Sequence, residues 1–166
     1  MPIDWLGMAK FSQPILRGSK SLYDRVVGKA LRIDFEIGDV GAALRIHNPR
    51  EQTVVVESIE ARPAVLGFSF GDSVDDMAEA IISQRHGRSE LARAVVPSNE
   101  SISASIVTFD PFHTSPAETV ITVRVNWRST TRGMFSRSNT TRKSSVRDIR
   151  DLRRAAENSQ PRITII

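Results

Sequence analysis

Residues 119–129 (TVITVRVNWRS) constrain this chain more than any other stretch. Ile121, Val123, Val125 and Trp127 fall on one side of a two-residue period, and Thr122, Arg124, Asn126 and Arg128 on the other. Side chains alternate faces along a strand, so the pattern predicts a half-buried strand with one apolar and one basic face. The same stretch divides the chain electrostatically. Residues 1–123 hold 12 Lys/Arg against 16 Asp/Glu, a net −4; residues 124–154 hold 10 basic side chains against Asp148 and Asp151, a net +8. An asymmetry of that size speaks to partners rather than to fold.

Further strands can be read before it. Leu31, Ile33, Phe35 and Ile37 alternate with Arg32, Asp34 and Glu36, and residues 38–41 (GDVG) supply turn residues that tolerate positive φ. Leu44 and Ile46 mark a returning strand over 42–47, and Asn48-Pro49-Arg50-Glu51 reads as a turn. Residues 53–61 (TVVVESIEA) form a β-branched third strand stopped by Pro63. Loops this short predict an antiparallel meander of the three. A fourth short strand is expected over 64–70. In 101–109, Ile102, Ala104 and Ile106 alternate, then Val107 and Phe109 shift the phase, as a β-bulge would. That strand and 119–129 are expected to form a second hairpin across a proline-containing loop at 110–117.

Two segments have helical character. In 73–85, Ser73 suits an N-cap, Asp75 and Asp76 suit the positive end of a helix dipole, and Val74, Met77, Ala78, Ile81 and Ile82 form an apolar stripe. Residues 89–95 would add another turn. In 146–157, Ser145 is the expected cap with Asp148 at the third helical position, and Val146, Ile149, Leu152 and Ala156 share one face. Residues 131–145 (TRGMFSRSNTTRKSS) read as a long polar loop, and 162–166 as a last strand or frayed tail.

Together these predict a mainly β chain: an antiparallel β-sandwich of immunoglobulin-like architecture, with a helical insert around 73–85 and a C-terminal helix around 146–157. The expected organisation is an N-terminal extension over 1–30 packing on the domain, the sandwich over 31–130, and a basic loop, amphipathic helix and tail over 131–166. The 40% apolar and 25% charged fractions suit a soluble globular protein. The absence of cysteine removes disulfides and thiolate metal sites. With no signal-peptide pattern and no apolar run near the roughly 20 residues that span a bilayer, a cytoplasmic location is the default expectation.

Candidate chemistry is sparse. Residues 67–71 (GFSFG) fit the G-x-S-x-G nucleophile elbow, with Ser69 as nucleophile, His113 as base and Asp110 to orient it. That motif requires a parallel sheet with crossovers, which loops this short do not provide, and Asp72, Asp75 and Asp76 would repel an oxyanion. The plainer reading is a strand end with Phe68 and Phe70 in the core. Residues 18–21 (GSKS) lack the glycines of a phosphate loop. His47, His86 and His113 come from separate loops or strand ends, which predicts no metal site, and no cofactor is expected. Asp34 and Glu36 share a strand face, where pairing with Arg32 or across strands is a simpler account than paired catalytic carboxylates. Asn99 and Asn139 open glycosylation sequons, relevant only in a eukaryotic secretory pathway.

The strongest functional feature is basic: Arg124, Arg128, Arg132, Arg137, Arg142, Lys143, Arg147, Arg150 and Arg154. Nine arginines to one lysine over 124–154 favour bidentate contact with carboxylate or phosphate. The first expectation is a non-catalytic protein–protein interaction or assembly module, through self-association or a protein partner, with edge strands as its natural contact. The alternative is a nucleic-acid or other polyanion binder using the basic segment, and a serine hydrolase on Ser69 is a distant third.

Overall fold

The computed structural model describes residues 29–39, 41–71, 75, 76, 78, 82, 94–130 and 137–159. It is mainly β, with two antiparallel sheets of four strands each. The strands are β1 (Arg32–Ile37), β2 (Ala42–His47), β3 (Val54–Arg62), β4 (Leu66–Ser69), β5 (Ala94–Val96), β6 (Ser101–Thr108), β7 (Val120–Ser129) and β8 (Arg137–Ser145). Helix α1 (Asp110–Thr114) lies between β6 and β7, and α2 (Val146–Ser159) directly follows β8. The first sheet runs β1-β2-β6-β4 and the second β5-β3-β7-β8.

β7 meets its sequence expectation residue by residue. Ile121, Val123, Val125 and Trp127 are all buried, while Arg124 and Arg128 are exposed. Cross-strand partners share a face, so the register extends this division across the sheet. Val54, Val56, Ile59 and Ala61 of β3 join the inner row, with Ile33, Leu44, Ile46, Ala104 and Phe68 from the first sheet. All belong to one apolar cluster, which Phe112 of α1 and Val146 and Ile149 of α2 complete. Each fully buried Val, Ile or Leu there contributes about 1.5–3 kcal/mol relative to exposure. α2 packs across β1, β2 and β8, and so covers the side where the two outermost strands come together.

The pairings depart from the expected hairpins. β1 and β2 do pair as neighbours through the 38–41 turn, where Gly41 has φ +152°, a conformation that favours glycine. β3, however, leaves for the second sheet, so the three-strand meander does not form. β6 pairs with β2 and β4 rather than with β7, so the second hairpin does not form either. In both places a short connection crosses from one sheet to the other. Alternation reports which side of a strand is buried but not which strand lies beside it.

The bulge lies elsewhere too. β6 pairs without a register shift, and Phe109 lies beyond its end as the buried residue preceding α1. The shift falls in β3 between Val56 and Ser58, moving the inward row from Val54 and Val56 to Ile59 and Ala61. The expected loop at 110–117 contains α1, because Pro111 suits the first turn of a helix and Phe112 is 1% exposed. The expected loop at 131–145 is strand over its second part, β8. Ala94 and Val95, expected as helical, are in β5. The fourth strand is present as β4. Asp75, Asp76, Ala78 and Ile82 are helical, as expected of the insert, whose other residues lie outside the described set. The 1–28 portion of the N-terminal extension, the 18–21 motif, His86 and the 162–166 tail also lie outside it.

α2 starts at its expected cap. Ser145 Oγ accepts the Asp148 amide at 3.1 Å, and the Ser145 amide donates to Asp148 Oδ2 at 3.2 Å, a reciprocal capping box. The Val146 and Arg147 amides donate to the carbonyls of Thr119 and Ala117 at 2.9 and 3.0 Å. The first three helical N–H groups, which an α-helix leaves without internal partners, are thus satisfied by the chain itself.

Candidate functional site

The described basic residues of 124–154 fall into three groups. β7 and β8 pair from Val120↔Ser145 to Arg128↔Arg137. Arg142 pairs with Val123 and Lys143 with Thr122, which puts these adjacent basic residues on opposite faces. Arg142 therefore lies on the inner side of an outermost strand, where it reaches Asp34 of β1 at 3.4 Å. Arg124, Arg128, Arg137 and Lys143 lie on the outer face.

Of the α2 arginines, Arg150 and Arg153 turn toward the protein, while Arg147 and Arg154 stay exposed. Arg150 donates from one guanidinium nitrogen to the carbonyls of Phe112, His113 and Ser115 at 2.8, 3.0 and 2.9 Å. These carbonyls close the C-terminal end of α1, where helix acceptors lack intrahelical donors. The same guanidinium lies 5.4 Å from the Phe112 ring centroid. Arg153 donates to Thr108 Oγ1, Arg147 pairs with Glu118, and Arg154 approaches Asp151 at 3.9 Å. Arg132 lies outside the described residues. Arg147, Arg150 and Arg153 thus tie the helix to α1, β6 and the 115–119 loop, and among the described residues the cations of 124–154 do not share one face.

What the fold does assemble is the outer face of β3, β7 and β8. Glu60 lies opposite Arg124, and Arg62 opposite Thr122, whose other neighbour is Lys143. At the far end, Glu57 lies 3.4 Å from both Arg128 and Arg137, one carboxylate serving two guanidinium groups. Between the charges, Asn126 Nδ2 donates to Ser58 Oγ at 2.8 Å and Glu60 Oε1 at 3.1 Å. Five cations and two carboxylates therefore share one solvent-facing side. Arg62, Glu57 and Glu60 were not singled out in the sequence. Alternation from Val54 and Val56 turns Glu57 outward and alternation about Ile59 and Ala61 turns Glu60 outward, but only the bulge between the two rows puts both on one face.

The remaining candidates are engaged locally. Ser69 is 5% exposed; its hydroxyl donates to the Gly71 carbonyl at 2.8 Å and accepts the Gly71 amide at 3.2 Å. His113 Nε2 lies 3.5 Å from Thr108 Oγ1. Thr108 pairs with Leu66, three residues along β4 from Ser69, or about 10 Å at the rise of a strand. The fold places the two at opposite ends of β4. His47 Nδ1 meets Ser101 Oγ at 3.1 Å. Among the described residues, no group of three or more His, Asp or Glu side chains could hold a metal ion. Glu36 accepts from Ser103 Oγ at 2.6 Å and faces Arg45 at 3.6 Å, so the Asp34–Glu36 face is paired across strands.

A second polar cluster closes one end of the core. Asn48 is fully buried, and its Nδ2 donates toward the carbonyls of Gln52, Val96 and Pro97 at 2.8, 3.1 and 2.9 Å. Its Oδ1 accepts the Arg50 amide at 3.1 Å. The Arg50 guanidinium stacks 4.8 Å from the Trp127 ring centroid, and burial lowers its pKa from the ordinary value. Trp127 Nε1 in turn donates to Thr140 Oγ1 at 3.2 Å.

Comparison with family models, curated proteins and solved structures finds no match to the chain. Among the described residues, no helix is long and apolar enough to cross a membrane.

Proposed function

We propose that the chain is a non-catalytic interaction module built on an immunoglobulin-like β-sandwich. Strand order supports the architecture. Lettered along the chain with β5 set aside, β1-β2-β6-β4 reads A-B-E-D and β3-β7-β8 reads C-F-G, the two sheets of a constant-type immunoglobulin fold. β5 is then an added short strand beside β3. The single apolar cluster fed by both sheets agrees with face-to-face packing.

The observation that carries the functional reading is the outer face of β3, β7 and β8, a charged, solvent-facing sheet surface on a rigid scaffold. The outermost strands favour contact through this face over strand addition. β4 has four residues, all buried, and β5 has three. β8 carries the inward-facing Arg142, a device that discourages pairing with another chain. The local bonds of Ser69 and His113 favour structural roles for both.

Sedimentation velocity and a fluorophosphonate probe test the reading. The expected result is a species heavier than the 18.4 kDa chain, by self-association or with a partner, and no label on Ser69. A persistent monomer that takes no partner, or a labelled Ser69 in folded protein, refutes it.

A further inference from the structure

We propose that the outer face of β3, β7 and β8 binds the phosphodiester backbone of nucleic acid without reading its sequence. The proposal rests on the binding-module reading and names the partner class. Arg62, Arg124, Arg128, Arg137 and Lys143 project from this one face against Glu57 and Glu60. The side chains of Arg128 and Arg137 remain 50% and 75% exposed although both approach Glu57, leaving guanidinium donors free to reach outward.

The chemistry between the cations decides between phosphate and protein. Ser58, Thr122, Asn126, Asn139 and Thr141 fill the rows between the charges, Val55, Val95 and Val120 lie toward the ends of the face, and no aromatic or methionine lies on it among the described residues. Protein interface cores are enriched in aromatics, methionine and arginine and depleted in Lys and Ser, so the four arginines suit either partner, while Lys143, Ser58 and the lack of aromatics favour phosphate. Phosphate contacts draw on Arg, Lys, Ser, Thr and Asn, the residues that make up the middle rows of this face beside Glu57 and Glu60. Without an aromatic the face has no stacking platform for bases, so contact stays on the backbone. From the Thr122–Lys143 row to the Arg128–Arg137 row is six residues, about 20 Å of strand. That length faces about six phosphates of one strand at 3.4 Å each.

The test is fluorescence anisotropy on a short mixed-sequence DNA duplex, using the full chain across a salt series. With three to five phosphates neutralised, affinity should fall between about 40-fold and about 500-fold from 50 to 200 mM salt. The combined variant Arg62→Ser, Arg124→Ser, Lys143→Ser should bind weakly and lose at most about 12-fold over the same range. An equal charge removal away from the face, Arg142→Ser, Arg147→Ser, Arg154→Ser, should leave affinity within about threefold of the unaltered protein. Should the face variant fail to fold by circular dichroism, Arg124→Ser alone should flatten the log–log salt slope by about 0.9. Equal loss in the off-face variant overturns the proposal, since net charge alone would then explain binding. Equal affinity for polyglutamate overturns it in favour of an acidic protein partner and leaves the module reading standing. Failure to bind DNA also overturns it, while sedimentation decides the module reading separately.

Discussion

Asn48 is the residue whose replacement most directly tests the account of the core's polar end. Its side chain is 0% exposed, donates toward three carbonyls and accepts one amide. It thereby ties the β2–β3 connection to the turn between β5 and β6. Asn48→Ala removes two N–H donors and one acceptor and leaves buried backbone groups without partners. At about 1 kcal/mol net per hydrogen bond, with more for each group left unsatisfied, the expected loss is about 3 kcal/mol. Asn48→Asp keeps the size and one acceptor but directs a negative charge at three carbonyl oxygens. Its carboxyl pKa in the folded state must therefore rise above the ordinary value of about 3.9. Between the unfolded and folded pKa values the native state holds more protons than the unfolded state, so stability falls as pH rises. The loss is about 1.4 kcal/mol for each tenfold difference in proton affinity between the two states. At neutral pH, Asn48→Asp should be less stable than Asn48→Ala, and near pH 4 it should recover because the protonated carboxyl again donates. Urea denaturation followed by circular dichroism at both pH values measures this. An Asn48→Asp curve that runs parallel to Asn48→Ala across pH, or an Asn48→Ala loss under about 0.5 kcal/mol, refutes the reasoning.

Three further outcomes follow from the described contacts. Arg150→Met should destabilise the fold by about 2 kcal/mol in urea denaturation, since the guanidinium shared by three carbonyls at the end of α1 is lost and only that of Phe112 keeps a backbone donor, the Ser115 amide, and Arg150→Lys should recover only part of it. Ser145→Ala should cost about 1 kcal/mol of stability, read the same way, through loss of the α2 cap. Hydrogen bonds from the Ser145 side chain and backbone hold the Asp148 carboxyl below its ordinary pKa. Its stabilisation is therefore present above the unfolded carboxylate pKa and lost as pH falls through the lowered folded one, and Asp148→Asn should flatten that acid limb of a stability-versus-pH curve.

The legible parts of the candidate site were those set by local chain geometry. Arg124 and Arg128 could be assigned to the outer side of their strand because Ile121, Val123, Val125 and Trp127 define the inner one. Ser145 and Asp148 could be placed as a cap because a capping box is complete within four residues. β8 escaped because RSNTTRKSS has no apolar row: its backbone bonds to β7 make it a strand, and backbone bonding leaves no signature in side-chain type. Arg150 falls off the face shared by Val146, Ile149, Leu152 and Ala156, yet its long side chain reaches back to carbonyls 35–38 residues away. Asn48 looked like a turn residue because nothing near it in sequence reveals that Val96 and Pro97 lie against it.

By itself, the sequence determined the periodicities: which side of β1, β2 and β7 is apolar, where α2 begins, and that the basic charge lies after residue 123. These are properties of one segment and its own side chains. Only the tertiary structure decided which strands are neighbours, that Arg142 and Lys143 lie on opposite faces, and that Arg62 of β3 joins the cations of β7 and β8. Those outcomes depend on backbone pairing between segments far apart in the chain, and on a bulge whose single extra residue brings Glu57 and Glu60 onto the same face.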